Sequence, residues 1–147
     1  MRALTSDPLD PGAALAAVGA PEHGGAAMFV GTTRREADRR EVTIIEYEAH
    51  ADLARQEIDR ICGEARSRHG AAVFAQHRLG SVGIGEPSVV VAASAPHRPE
   101  AFQACRYLID EIKRRVPIWK RVHYADGGRE WIDGTTHRHA GRTARTG

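Results

Sequence analysis

The sequence predicts an α+β fold in which helices cover a largely antiparallel sheet. Three observations carry that expectation. Two long segments, 51–68 and 99–115, repeat apolar residues at helical spacing. Several short β-branched runs lie between and after them, and no regular strand-helix alternation of the parallel-crossover kind connects them. A turn signal, Asp126-Gly127-Gly128, separates two late strand candidates and reads as a hairpin.

The elements follow in order. Asp10 can cap a short helix with Pro11 in its first turn, where a missing N–H is harmless, and Gly19 and Pro21 stop it after Leu15 and Val18 have faced the core. Residues 24–33 read as a strand with Met28, Phe29 and Val30 as a fully buried run. Residues 42–49 are rich in β-branched side chains and read as a second strand. In the helix at 51–68, Ala54, Ile58, Ile61, Cys62 and Ala65 share one face, and His69-Gly70 closes it. Residues 72–79 form a third strand candidate. Gly80, Gly83 and Gly85 read as tight turns, since no helix carrying Lys-Ser or Lys-Thr follows to make a phosphate loop. The unbroken apolar run at 88–94 predicts a strand buried on both faces.

Pro99 suits a first helical turn and Pro117 forces Val116 out of helical geometry, which predicts a helix over 99–115. Its apolar stripe would be Phe102, Cys105, Ile109, Ile112 and Val116. Trp119 and Trp131 are expected to close the edge of the core, and Lys120 to lie on a strand. The final residues, 134–147, are basic, free of acids and poor in apolar side chains, so they are expected to form a disordered tail behind a single domain at 1–133.

Composition narrows the function classes. A formal net charge of +2 over 147 residues is too small to argue nucleic-acid binding, although its sign suits an anionic ligand or an acidic partner. Cys62 and Cys105 both fall on apolar helix faces and read as buried thiols rather than a disulfide. The Ala-rich run at 13–20 is too short to span a bilayer and lacks a basic leader, so a cytoplasmic protein with no membrane contact is expected. His123, His137 and His139 could suggest a metal, but no fixed framework supports them and none is expected.

The candidate site residues are cations and donors. His97 and Arg98 sit at a helix start, where free N–H groups and the positive end of the dipole favour an anion. Lys113 borders the apolar stripe, Lys120 follows the Pro-Ile-Trp turn, and Arg114, Arg115 and Arg121 crowd both, which would lower a lysine pKa toward useful nucleophilicity. Arg34 emerges from a strand end into the charged loop at 35–41. Taken singly, each has a bland reading: an exposed pair at a helix start, a lysine paired with Asp110 or Glu111, a solvated loop charge.

Several spaced motifs shift that balance. FVGTTR at 29–34, IEYEAH at 45–50, HRLGSVGIGE at 77–86, PHR at 96–98, CRYLID at 105–110, VPIWKR at 116–121 and DGGREWI at 126–132 together resemble the large, catalytic subunit of molybdopterin synthase. The resemblance covers nearly the whole chain before residue 134. It departs from the family pattern in the loop after Arg34, which lacks the usual Asn and Gly, and at Val122, where an acidic residue is common.

The resemblance implies an α/β-hammerhead fold, a homodimer, and a heterotetramer with a small ubiquitin-like sulfur-carrier subunit ending in Gly-Gly. It implies a sulfurtransferase acting on cyclic pyranopterin monophosphate, with sulfur delivered from the carrier's thiocarboxylate to build the molybdopterin dithiolene. Lys113 and Lys120 would be the catalytic residues, and Arg34, His97 and Arg98 would bind substrate. No metal or organic cofactor is expected, because sulfur arrives on the carrier. The competing reading is a non-catalytic anion- or RNA-binding module. It is weakened by the absence of an aromatic-rich strand or basic stripe.

Overall fold

The apolar run near residue 90 forms the central strand of the molecule and divides its core in two. In the computed structural model, which describes residues 2–133, this strand is β7 (Pro87–Ala95), and every residue from Ser88 to Ala95 is buried. Side chains on a strand alternate between faces. Val89, Val91, Ala93 and Ala95 therefore enter the main core, while Val90 and Ala92 join a smaller one with Leu9, Ala14 and Val18.

Twelve elements surround that division: β1 (Leu4–Thr5), α1 (Pro11–Ala17), β2 (Gly25–Thr32), β3 (Glu36–Ala37), β4 (Arg40–Ala49), α2 (Ala51–His69), β5 (Ala72–Arg78), β6 (Gly80–Gly83), β7, α3 (Arg98–Arg115), β8 (Ile118–Tyr124) and β9 (Arg129–Asp133). One sheet runs β1-β5-β7-β2; the second runs β3-β4-β8-β9, with β6 also paired to β4. The named strands pair antiparallel except for β1 with β5. The α+β class follows directly.

Local signals act as expected in most places. Asp10 caps α1 by accepting from the Ala13 amide, at 3.2 Å. The five predicted residues of α2 are its buried face, and Gly70 ends it at φ 58°, a left-handed cap that glycine takes without a Cβ clash. Asp126 accepts from the Gly128 amide at 2.8 Å to close the β8–β9 hairpin. The chain leaves the first sheet at Leu79 and enters the second at Gly80, whose φ of 87° makes the corner. A second hairpin joins β3 to β4 through Asp38 and Arg39, both left-handed at φ 52° and 63°. Arg40 ties it down, bonding Asp126 at 3.1 Å and lying 3.6 Å over the Tyr124 ring.

Several expectations need correction. Met28 and Phe29 are 38% and 42% exposed, because β2 is an edge strand bonded only to β7. Leu15 is exposed; Ala14 and Val18 are the residues that face inward. The buried face of α3 is Ala101, Ala104, Cys105, Leu108 and Ile112, whereas Phe102 is 65% exposed. Small alanines let this helix lie close on β7 and β2, and that close approach turns the larger Phe102 outward. The glycine run at 80–83 is the short strand β6, not only turns. Trp131 is exposed and carries Arg121 stacked 4.2 Å above its ring, so it does not close the core. The basic tail lies outside the described residues.

Candidate active site

Two lysines reach one hollow because a proline reverses the chain between them. Val116 adopts an extended conformation, φ −81° and ψ 128°, and Pro117 then feeds β8 straight back beside the last turn of α3. In β8, Ile118, Val122 and Tyr124 are buried, and period-2 alternation places Lys120 on the same inward face. Its register partner on β4 is Tyr47. An ammonium thus occupies a position that the strand otherwise gives to apolar side chains.

The hollow has two parts. A pouch of about 80 Å³ is bounded by Tyr47, His77, Ile112, Trp119 and the two lysines. A wider groove of about 480 Å³ opens from it, sharing Tyr47, Lys113 and Lys120 and adding Arg34, Ser88, and Glu36 and Asp38 from the β3–β4 hairpin. Arg34, Lys113 and Lys120 are therefore brought together within one chain. His97 and Arg98 are exposed at the other end of α3 and line neither part. At 1.5 Å per residue, about 22 Å of helix separates Arg98 from Lys113.

The electrostatics are those of unpaired cations. Among the described residues, the ion pairs are made by arginines and His123, and neither lysine takes part. Burial pushes the Lys120 pKa down to about 8, helped by Lys113 and Arg34 nearby. Lys113 keeps contact with solvent at the groove mouth, yet the protein around its ammonium group still lowers its pKa by desolvation. The expected crowding by Arg115 and Arg121 is not what does this. Arg115 is bound to Glu57, Glu64 and Glu111, and Arg121 lies on Trp131. The neighbouring charges acting on Lys120 are Lys113 and then Arg34 instead.

Two lining residues were not singled out as site candidates from the sequence. His77 is buried, bonds the Arg78 carbonyl at 2.8 Å through Nδ1, and has its pKa held down at about 4 by burial. Tyr47 packs against it edge to face, with ring centroids 4.9 Å apart. Both stand in motifs that carry the family resemblance, IEYEAH and HRLGSVGIGE, and that was their only signal. His123 is engaged by Glu46 at 2.5 Å. No group of three or more His, Cys, Asp or Glu suited to a metal occurs among the described residues, and His137 and His139 lie outside them. Val122, where an acidic residue was expected from the family pattern, is a buried core residue 2% exposed.

Comparison with known proteins places these residues in context. The family model described as MoaE protein matches residues 4–115. The molybdopterin synthase catalytic subunit of Culex quinquefasciatus is 44% identical over 126 residues, covering 84% of this chain and 80% of the relative. That of Oryza sativa subsp. indica is 49% identical over 119 residues, covering 77% of this chain and 62% of the longer rice protein. Among solved structures, molybdopterin synthase from Staphylococcus aureus superposes with a TM-score of 0.83 at 28% identity, over 88% of this chain and 95% of that one. The MoaE protein from Burkholderia ambifaria gives 0.77 at 31% identity, over 92% and 91%.

Proposed function

The chain belongs to the MoaE family, and from that premise we propose that it is the catalytic subunit of a molybdopterin synthase, transferring sulfur from a small carrier protein to cyclic pyranopterin monophosphate. The observation that carries the proposal is the groove holding Lys113 and Lys120, both unpaired among the described residues and both with lowered pKa. A lysine in that condition can present a neutral amine near physiological pH, while its neighbour remains an ammonium able to hold an anion or return a proton. Lys113 is the central catalytic group in this reading. Lys120 assists it in proton transfer or in holding the carrier's tail.

The ligands suit the walls. The substrate bears a phosphate and the carrier's Gly-Gly tail ends in a thiocarboxylate, both of them anions that Arg34 can bind by charge-assisted hydrogen bonds. A tail of two glycines carries no side chain to clash with the walls of the pouch. The partner is thus a small ubiquitin-like carrier, giving a heterotetramer around a homodimer of this chain. No described helix is long and apolar enough to cross a membrane, and a cytoplasmic setting fits soluble substrates and a soluble carrier.

His97 and Arg98 enter through the second copy. Their distance along α3 keeps them from the lysines of their own chain, so they serve the groove of the neighbouring protomer, and the two sites lie at the dimer interface. The test is reconstitution: purified chain, thiocarboxylated carrier and cyclic pyranopterin monophosphate, scored for dithiolene product. Turnover is expected, and its absence with a folded chain and a competent carrier would overturn the assignment. Mixing an inactive Arg98→Ala chain with an inactive Lys113→Ala chain then locates the site. Shared sites restore about one working site per mixed dimer; sites confined to one chain leave the mixture dead.

A further inference from the structure

His77 occupies a position where an apolar side chain would be ordinary. It pairs with Val89 on β7 and Leu4 on β1, both core residues, and is itself 5% exposed. An imidazole buried there must satisfy two ring nitrogens. One is settled by geometry: the Arg78 carbonyl can only accept, so Nδ1 carries the hydrogen it donates at 2.8 Å. In a neutral ring, Nε2 is then the lone-pair nitrogen. The polar side-chain atoms sealed without a hydrogen-bond partner among the described residues are Thr33 Oγ1 and Arg78 Nε and Nη1, the last of which lies 3.5 Å from the Glu86 carboxylate. Nε2 has no protein partner there and is not one of them, so it opens on the pouch that His77 lines with both lysines.

The groups facing this ring are few. Tyr47 comes from β4 and fixes the ring plane by an edge-to-face contact at 68°, Lys113 comes from α3 and Lys120 from β8. Arg34 stands farther out and acts on Lys120. The strands paired with β5 contribute only Leu4 and Val89 at this register.

We propose that His77 is a positioning residue for the lysine pair, its ring locked by the Arg78 carbonyl so that Nε2, unpartnered among the described residues, is free to accept a hydrogen bond from whichever of Lys113 and Lys120 carries the proton. The proposal rests on the reading of that pair as the reacting groups. An acceptor aimed at an ammonium favours its charged form, opposing the desolvation that favours the neutral amine. Nε2 thereby sets where the pair titrates and holds the proton-bearing lysine in one orientation. The ring stays neutral throughout, because its own proton affinity is far below that of a lysine.

Three substitutions separate the two ring nitrogens. His77→Gln keeps an acceptor near the place of Nε2, His77→Asn keeps a donor near the place of Nδ1 but no acceptor, and His77→Phe keeps the shape and the contact with Tyr47 alone. In the reconstituted complex, His77→Gln should stay within about threefold of the unmodified chain, while the Asn and Phe variants lose about tenfold or more in kcat with KM within about twofold. The second readout needs no turnover: titration of Lys113 and Lys120 followed by NMR of labelled lysine side chains in the full chain. The lysine titration should move to lower pH in the Asn and Phe variants and remain in place in the Gln variant. An unmoved titration in folded His77→Asn and His77→Phe overturns the proposal, as does a Gln variant that behaves like them. A moved titration in a chain that shows no sulfur transfer would uphold the positioning role and count only against the activity.

Discussion

Lys113 and Arg115 stand two residues apart on the last turn of α3, and the fold treats them in opposite ways. Arg115 turns toward α2, where it bonds Glu57 at 2.8 Å and Glu64 at 2.7 and 3.1 Å, and it also bonds Glu111 of its own helix at 3.2 Å. These partners raise its pKa, Glu64 first among them. Lys113 turns toward the groove, finds no carboxylate among the described residues, and has its pKa lowered by desolvation. A paired cation ties two helices together; an unpaired and partly desolvated one is available to react. Position in the sequence does not distinguish them, but the partners each one meets do.

The largest effect expected from this contrast is chemical. Lys113→Ala and Lys120→Ala should each lower kcat by about 10²–10⁴-fold while the chain still folds, since neither ammonium makes an ion pair among the described residues. Lys113→Arg should not restore turnover, because a guanidinium stays charged at every accessible pH. Measured kcat near the unmodified value in Lys113→Ala would end the catalytic assignment.

Arg34→Ala sharpens the groove side. It removes a charge that helps to depress Lys120, so the Lys120 pKa should rise from about 8. Substrate or tail affinity should fall by roughly 1.5–3 kcal/mol if one charge-assisted hydrogen bond is lost. Unchanged affinity by calorimetric titration would remove Arg34 from the anion site.

Arg115→Ala should do the reverse of the lysine variants, lowering stability by roughly 1–3 kcal/mol while leaving activity per folded molecule nearly unchanged. Its pH dependence gives the smallest and most specific signal. Glu64 is held down at about 2 by its bonds to Arg115 and then Tyr107. A carboxylate whose folded pKa is depressed contributes stability above its unfolded pKa, about 4.3, and loses it as pH falls through the folded value. The difference between the unmodified chain and Arg115→Ala in urea melts should therefore shrink between about pH 4 and pH 2. Lys120 acts on the alkaline side with a slope of the same sign. Its folded pKa lies below its unfolded one, so the unfolded chain binds more protons and stability rises from about pH 8 to about pH 10.

What could be read from the chain divides along the same line between local and non-local causes. The buried stripe of α2, the stop at Pro117 and the Asp126-Gly127-Gly128 hairpin depend on neighbours in sequence, and all three stand as expected. Met28 and Phe29 were assigned to the core because nothing in a strand's own residues says that it will be an edge. On α3, Cys105, Ile112 and Val116 are buried as expected, but alanines look neutral and Phe102 looks apolar, so the sequence points to Phe102 and Ile109 for the face where Ala101 and Leu108 pack. Lys120 is legible as a strand residue after the Pro-Ile-Trp turn, and the structure adds that it shares the inward face of Ile118, Val122 and Tyr124. Lys113 and Arg34 gained weight only from the family resemblance. His77 and Tyr47 meet because the chain crosses from one sheet to the other at Gly80, and no spacing within either strand announces that corner.

The β3–β4 hairpin, with Asp38 and Arg39 both left-handed, has a consequence for motion. A left-handed residue other than glycine costs about 1–2 kcal/mol, a penalty Asp can offset by local hydrogen bonding and Arg cannot. The tip of the hairpin therefore opens more readily than the long strand that follows it, and its amides should exchange with solvent well before those of β4. Since Glu36 and Asp38 form part of the groove wall, fraying at the tip would widen the entrance while Tyr47 and Lys120, held in the β4–β8 pairing, keep their places. The groove has a loose rim over a fixed floor, which lets a bulky ligand enter without disturbing the groups that meet it.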